Sequence, residues 1–200
     1  MLGETTSTWI SDRRASAQRK ILDAAWDVAR EQGLAALTLR EVADRVGIKA
    51  PSLYSHFASK FAIYDAMFGE SWQELLEIEK TVELPSEPRA ALRVMARTYF
   101  DFATADLARH QLMDVRTIPG FTPSDESYAP AVAAMQDLVQ QLSVLGLDLS
   151  QADVDLYTAL IAGLVNQQWA NDPGGSRWGR LLDRAIDMYA DNLDLPREDP

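Results

Sequence analysis

Between residues 54 and 60 the chain reads Tyr54-Ser55-His56-Phe57-Ala58-Ser59-Lys60, which sets an aromatic hydroxyl, an imidazole and an ammonium close together. Tyr54 and His56 can donate to phosphate oxygens without carrying charge. Lys60 adds a point charge at the start of a helix, where unpaired N–H groups already favour anions. Such a set suits the holding of phosphate rather than the turnover of a substrate. Other chemistries are poorly supplied. With no cysteine, thiolate zinc sites, iron–sulfur clusters and cysteine nucleophiles are excluded. The only histidines are His56 and His110, and neither has a carboxylate three residues before it, so the Glu-x-x-His pair of di-iron bundles is missing. No Gly-rich phosphate loop and no nucleophile elbow occurs. Neither a metal nor a cofactor is expected, and the chain is not expected to be an enzyme.

The elements that must position these residues can be read from spacing. Ser16 to Gln32 is an amphipathic helix with Ile21, Leu22, Ala25, Val28 and Ala29 on its apolar side, stopped at Gly33. Thr38 with Glu41 three residues on predicts a reciprocal capping box, and that second helix ends at Gly47. Pro51 suits the first turn of a third helix, where its missing N–H costs nothing. Val42, Ala43, Val46, Ile48 and Leu53 then plug one small core, the spacing of a helix-turn-helix. Ser59 caps a fourth helix reaching about Lys80, roughly 30 Å long at about 1.5 Å per residue and able to join two lobes. Five more helices follow: the one carrying Leu92 to Phe102, then Asp106 to Val115, Tyr128 to Leu145, Ser150 to Ala170 and Ser176 to Leu193. A Pro- and Gly-containing loop spans Thr117 to Ser124. No segment alternates as a strand does, so the fold class is all-α with about nine helices.

The chain has 200 residues and a net charge of −11, which as a whole opposes a polyanion. The charge is unevenly divided. Residues 1–60 hold nine Lys/Arg against seven Asp/Glu, net +2, and residues 61–200 hold ten against twenty-three, net −13. Arg13, Arg14, Arg19 and Lys20 form a basic cluster at the first helix, either an arm that reaches DNA or a solvated helix start. The opening Met1-Leu2-Gly3-Glu4-Thr5-Thr6 lacks the basic start and apolar run of a signal peptide, and no apolar stretch reaches the ~18 residues of a membrane helix. A soluble cytoplasmic protein without a membrane partner is the expectation.

With Gly33, Thr38, Ala43 and Gly47 at their spacings and the Tyr-x-His-Phe-x-Ser-Lys run behind them, residues 16–80 resemble the TetR family of bacterial transcriptional regulators. The similarity covers about a third of the chain. Two positions depart from the family's pattern: Ala29 stands where a large aromatic is usual, with Trp26 expected to fill the volume, and Pro51 follows Ala50 where a small polar residue is commoner. The resemblance implies a DNA-binding domain over residues 1–60 and a ligand-binding, dimerising domain over 61–200. It implies that Lys49, Ser52 and Ser55 face the groove of a double-stranded operator, that Thr38 and Arg40 reach the duplex from the preceding helix, and that Tyr54, His56 and Lys60 hold phosphates.

Beyond residue 80 the sequence offers only candidates. Trp72, Tyr99, Phe100, Phe102, His110, Met113, Phe121, Met135 and Trp169 could line a cavity for a small-molecule effector, since such sites are mostly apolar with a few polar anchors. Asn166, Gln167 and Gln168 lie in an apolar helix, and a buried amide there would face a ligand or a dimer axis. That helix is apolar on two sides: Tyr157, Leu160, Ile161 and Leu164 on one, Leu156, Ala159 and Gly163 on the other. The last helix presents Trp178, Leu181, Leu182, Ala185, Met188 and Tyr189. Together the two are expected to form a four-helix interface in a homodimer. The function expected is a ligand-released repressor binding a palindromic operator. The alternatives are an all-α carrier or enzyme keeping the helix-turn-helix as scaffold, and a regulator answering to a protein partner.

Overall fold

A computed structural model describes residues 3–115 and 117–197, with side chains from residue 13 onward; Met1 and Leu2, on which part of the reading of the N-terminus rests, lie outside the described residues. Among the described residues the chain holds nine α-helices, two 3-10 turns and no strand. The helices are α1 (Gly3–Gln32), α2 (Leu39–Val46), α3 (Ala50–Tyr54), α4 (Lys60–Thr81), α5 (Pro88–Ala105), α6 (Leu107–Met113), α7 (Asp125–Val144), α8 (Gln151–Asn171) and α9 (Leu182–Asn192). No helix among them is long and apolar enough to cross a membrane.

Three local expectations are corrected. α1 begins at Gly3, not near Ser16, because no proline or internal glycine interrupts the polar stretch ahead of the apolar face. α9 begins at Leu182 rather than Ser176, with a 3-10 turn over Gly179–Leu181 ahead of it. Only half of the Thr38–Glu41 box is found: Thr38 Oγ1 accepts from Glu41 N at 3.1 Å, while the Glu41 carboxylate turns to Gln32 Nε2 at 3.4 Å. At Ser150 and Asp153 both halves of a capping box are present.

Two compact units result. The first comprises residues 1–71 and 108–128, the second 72–107 and 129–200, so α4, α6 and α7 each contribute to both. In the first unit Ile21, Ala25, Val28 and Ala29 of α1 are buried, as are Leu34, Leu37, Val42, Ala43 and Leu53. Trp26 is buried too, with the Arg30 guanidinium 5.5 Å from its ring centroid. Tyr64 of α4 donates its hydroxyl proton to the Leu34 carbonyl at 2.5 Å. Asp65 ties α4 to the start of α7: its Oδ1 accepts from Ser124 N at 2.7 Å and Ser127 Oγ at 2.5 Å, its Oδ2 from Ser124 Oγ at 2.7 Å. Burial works to raise the Asp65 pKa, but these donors outweigh it and hold the carboxyl below its ordinary range. Gly69 permits the approach, since a Cβ there would stand 3.2 Å from Ser127 Cα.

The second unit packs α5, α8 and α9 around Leu92, Ala96, Phe100, Tyr157, Ile161, Val165, Leu182, Ile186 and Tyr189. Tyr157 donates to the Leu92 carbonyl at 2.8 Å and Tyr189 to that of Asp153 at 3.0 Å, so each buried phenol is satisfied. Glu79 is half-buried, and desolvation together with the Asp137 carboxylate pushes its pKa up to about 7. This carries a pH dependence with a definite sign. Below the unfolded value of 4.5 the carboxyl is neutral in both states and costs nothing; as pH rises towards about 7 the unfolded chain ionises first and stability falls, levelling off above that. Glu79→Gln is expected to stabilise the protein by about 1–3 kcal/mol at pH 8, after discounting for its partial exposure, and by almost nothing at pH 4. Urea unfolding at the two pH values checks this.

Candidate functional site

The region around α2 and α3 is assembled from side chains that hold it inward and others that stay outward. Thr38, in extended conformation, caps α2; Val42 and Ala43 bury that helix, and Arg45 locks it to α1 by a two-pronged pair with Glu31 at 2.9 and 2.6 Å. The hydrogen bond from Arg45 holds the Glu31 carboxyl below its ordinary range. Gly47, at φ 77°, adopts the left-handed conformation that ends α2, and Ile48 N returns to the Ala43 carbonyl at 3.0 Å. α3 is only five residues long and has Pro51 in its first turn. It is fixed by Leu53, which is 0% exposed, and by Phe57 just beyond its end. Ser59 Oγ then accepts from Ala62 N at 3.1 Å and caps α4.

The outward side carries the residues singled out from sequence. Thr38, Arg40, Lys49, Ser52, Tyr54, Ser55 and Lys60 are exposed, Tyr54 to 55%, and His56 is half-buried. Two are partly engaged already. Arg40 Nε lies 3.8 Å from Asp44 Oδ2, and Ser55 Oγ donates to the Ser52 carbonyl at 2.6 Å, leaving its oxygen only as an acceptor. Lys60 Nζ sits 5.8 Å from the Phe61 ring centroid, so its ammonium stays at the surface. The structure thus gathers five donors or acceptors on one short helix and its flanks, with two cations before and after it. That arrangement can hold the edge and backbone of a nucleic acid.

The residues proposed for a ligand cavity are divided between the two units. His110, Met113 and Phe121 belong to the first unit, whereas Trp72, Tyr99, Phe102, Met135, Asn166 and Trp169 belong to the second. His110 is buried with Nδ1 3.1 Å from Asp114 Oδ2, and Phe121 packs its ring against Phe61 and Tyr64 at centroid distances of 6.2 and 5.7 Å. Phe102 is buried, Tyr99 packs on the core of the second unit, and Trp169 Nε1 donates to the Ala103 carbonyl at 3.1 Å. Met135 and Asn166 are exposed. Of the amides at 166, 167 and 168 in α8, Gln168 is the buried one, and its partners are mostly backbone. Its Oε1 accepts from Trp178 N at 2.9 Å and Gly179 N at 3.4 Å, and its Nε2 donates to the Asp172 carbonyl. It fixes the turn before α9.

The helix faces proposed for a dimer divide as well. Leu156, Ala159, Gly163, Leu181 and Met188 are exposed, Leu156 to 50% and Met188 to 65%. Leu160, Trp178 and Ala185 are half-buried, while Leu182 and Tyr189 lie in the core of their own unit because they face α5 and α8.

Sequence reasoning missed a ladder between α5 and α9. Arg89, Arg93 and Arg97, four apart, meet Asp191, Asp187 and Asp183, also four apart, in antiparallel register at 2.7, 2.6 and 3.1 Å. The two i, i+4 series were a signal that could have paired these helices.

Comparison with known proteins follows the same division. Residues 21–67 match the bacterial regulatory proteins of the tetR family. The HTH-type transcriptional activator FasR of Mycolicibacterium smegmatis is 30% identical over 101 residues, 50% of this chain and 46% of that protein. Tetracycline repressor protein class D of Escherichia coli is 34% identical over 74 residues, 30% of this chain and 34% of its own. The chain therefore spans less than half the length of these curated relatives. Among solved structures, the transcriptional regulator FadR from Bacillus subtilis in complex with stearoyl-CoA superposes with a TM-score of 0.68 at 17% identity, covering 86% of this chain and 96% of that one. At that identity the likeness is one of fold.

Proposed function

The chain belongs, through residues 21–67, to the tetR family of bacterial regulatory proteins, and from that premise we propose that it is a DNA-binding transcriptional regulator, non-catalytic, whose α3 enters the major groove of a duplex operator. The observation that carries this reading is the two-sidedness of α3: Leu53 is wholly buried, while Lys49, Ser52, Tyr54 and Ser55 stand outward between Arg40 and Lys60. In this reading residues 1–60 bind DNA, with Thr38, Arg40, Lys49, Ser52 and Ser55 at the groove and Tyr54, His56 and Lys60 on phosphates. Residues 61–200 bind an effector and dimerise. The exposed apolar side chains Leu156, Leu181 and Met188, with Ala159 and Gly163, supply the material for a two-fold interface, so that two recognition helices address one palindrome.

Repression is the sign we propose, released when a small molecule binds better to a conformation that no longer fits the operator; such coupling is typically worth about 1–3 kcal/mol. The class D relative is named a tetracycline repressor, and the Bacillus subtilis FadR structure holds stearoyl-CoA, so the fold accommodates an effector of that size. Whether this chain takes an acyl thioester or another small molecule is set by side chains of its own.

The test is binding of the full chain to the DNA flanking its own gene, at two salt concentrations, beside Lys60→Ala and Tyr54→Phe. Tight, salt-dependent binding is expected. Lys60→Ala should lower the salt slope by about 1, and Tyr54→Phe should weaken binding by about 0.5–1.5 kcal/mol, both with unchanged helicity. Failure on that fragment and on a random-sequence duplex library would overturn the reading and leave the carrier alternative.

A further inference from the structure

A cleft of about 400 Å³ lies within the second unit, between α5, α9 and the segment that follows α9. Residues 61–200 hold ten Lys and Arg against twenty-three Asp and Glu, yet four of the ten meet here: Arg89 and Arg93 from α5, Arg184 from α9 and Arg197 beyond it. Only Asp187 and Asp191 face them, so among the described residues the lining carries a surplus of two positive charges. Both carboxylates are already shared. Arg93 Nη2 lies 2.6 Å from Asp187 and Arg89 Nη1 3.7 Å from it, while Asp191 takes Arg89 Nη2 at 2.7 Å and Arg197 Nη2 at 2.5 Å. Arg184 is exposed, and no acidic side chain of the described residues pairs with it. Like charges so crowded repel one another, and a bound anion would relieve that repulsion. The inner wall is fixed by the core: Arg89 is 1% exposed and held by the carbonyls of 187, 195 and 196. The local field is positive enough that hydrogen bonds from Arg197 and then Arg89 hold Asp191 down to about 2.

We propose that this cleft binds a small polyanion, a molecule with two or more carboxylate or phosphate groups, gripped by Arg184 and Arg197 while Arg89 and Arg93 supply the field behind them. Guanidinium forks suit both head groups, which accept two parallel N–H bonds. The volume exceeds that of one inorganic anion and lies within the range of small-molecule sites, and Met188, 65% exposed, is the apolar surface against which a carbon skeleton would lie. No residue of α1 to α4 takes part, so the site stands whether or not α3 reads an operator. A polyanion held there would tie α9 and the segment after it to α5 and so stabilise the second unit. Arg184 and Met188 also border the exposed face given above to a two-fold contact, which makes a carboxylate of a second copy the rival source of the same chemistry.

The Nε–Hε NMR signals of the arginines report the site, with Arg40 of the first unit as the internal control. Titration of the full-length protein with citrate, at an ionic strength held constant with sodium chloride, is expected to move the Arg184 and Arg197 signals saturably, to leave Arg40 in place and to raise the urea midpoint. Pyrophosphate, titrated in parallel, shows which head group the cleft prefers. Arg184→Gln, at an exposed position, should raise the apparent Kd about tenfold with helicity retained, the scale of one charge-assisted hydrogen-bonding partner, and Arg184→Glu should abolish the response. Shifts that never saturate, that chloride alone reproduces, or that persist unchanged in Arg184→Gln are charge screening and overturn the site. Sedimentation separates the two sources. An oligomeric state that citrate leaves unaltered assigns the cleft to a free polyanion. A dimer that citrate dissociates, and that Arg184→Gln loses, assigns it to a carboxylate of a second copy and overturns the small-molecule site.

Discussion

Replacing Arg89 by leucine is expected to destabilise the second unit by about 3–5 kcal/mol, the scale of removing one partner from a buried ion pair. Arg89 is 1% exposed and spends its whole guanidinium: Nε donates to the Pro196 carbonyl at 2.8 Å, Nη1 to that of Asp187 at 3.1 Å, and Nη2 to Asp191 Oδ1 at 2.7 Å and the Leu195 carbonyl at 2.6 Å. Leucine would leave two carbonyls of the segment after α9 without a donor and a carboxylate short of a partner. A lysine should recover only part of the loss, since a single ammonium cannot serve four acceptors arranged around a fork. Arg97→Leu, at the more exposed end of the same ladder, is expected to cost less than about 1 kcal/mol. Urea unfolding of the three variants reads the contrast; equal effects at positions 89 and 97 would refute the central role of Arg89. Hydrogen bonds from Arg197 and then Arg89 hold Asp191 down to about 2, so its contribution is present above the unfolded pKa of 3.8 and is lost as pH falls through 2.

Leu53→Ala is the second large expectation, about 2–5 kcal/mol, and it is local. A helix of five residues has no stability of its own in water, because nucleation fixes several residues for one hydrogen bond and only tertiary packing repays that. Leu53 is its one fully buried side chain. Without it α3 should melt while α1 and the second unit persist, so amide exchange over residues 50–57 should rise steeply and duplex binding should vanish, with little change in total helicity. Retained protection at α3 would show that Pro51 and the Gly47 turn hold the helix unaided.

Much of this was legible in sequence because the relevant forces are short-ranged. Ser59 before α4, Ser150 with Asp153 before α8, and glycines at positions 33, 47 and 146 act on atoms a few residues away. The outward row of α3 was legible for the same reason: Leu53 and Phe57 fix which side is core. The first thirteen residues of α1 were not, since a polar helix without an apolar stripe carries no periodic signal. Longer-range devices were also hidden. Gln168 reaches residues 178 and 179, Asp65 reaches 124 and 127, and Arg89 reaches 187 to 196, and nothing in the local pattern of any one of them names its partner. Which aromatic side chains would touch a ligand was not legible, because an aromatic at helical spacing looks the same in a core as in a cavity wall.

The tie between Asp65 and the Ser124–Ser127 turn also orders events at the ribosome. The first unit is made of two stretches, and its second stretch ends at Tyr128, 57 residues after Ser71 closes the first. At about 5–20 residues per second, roughly 3–11 s of translation separate the two. During that interval Asp65 lacks its three donors, and Phe61 and Tyr64 lack the ring of Phe121. The helix-turn-helix therefore emerges first but reaches its finished packing only after the loop past α6 has been synthesised. A nascent chain stalled before residue 120 should display an incomplete DNA-binding unit to chaperones.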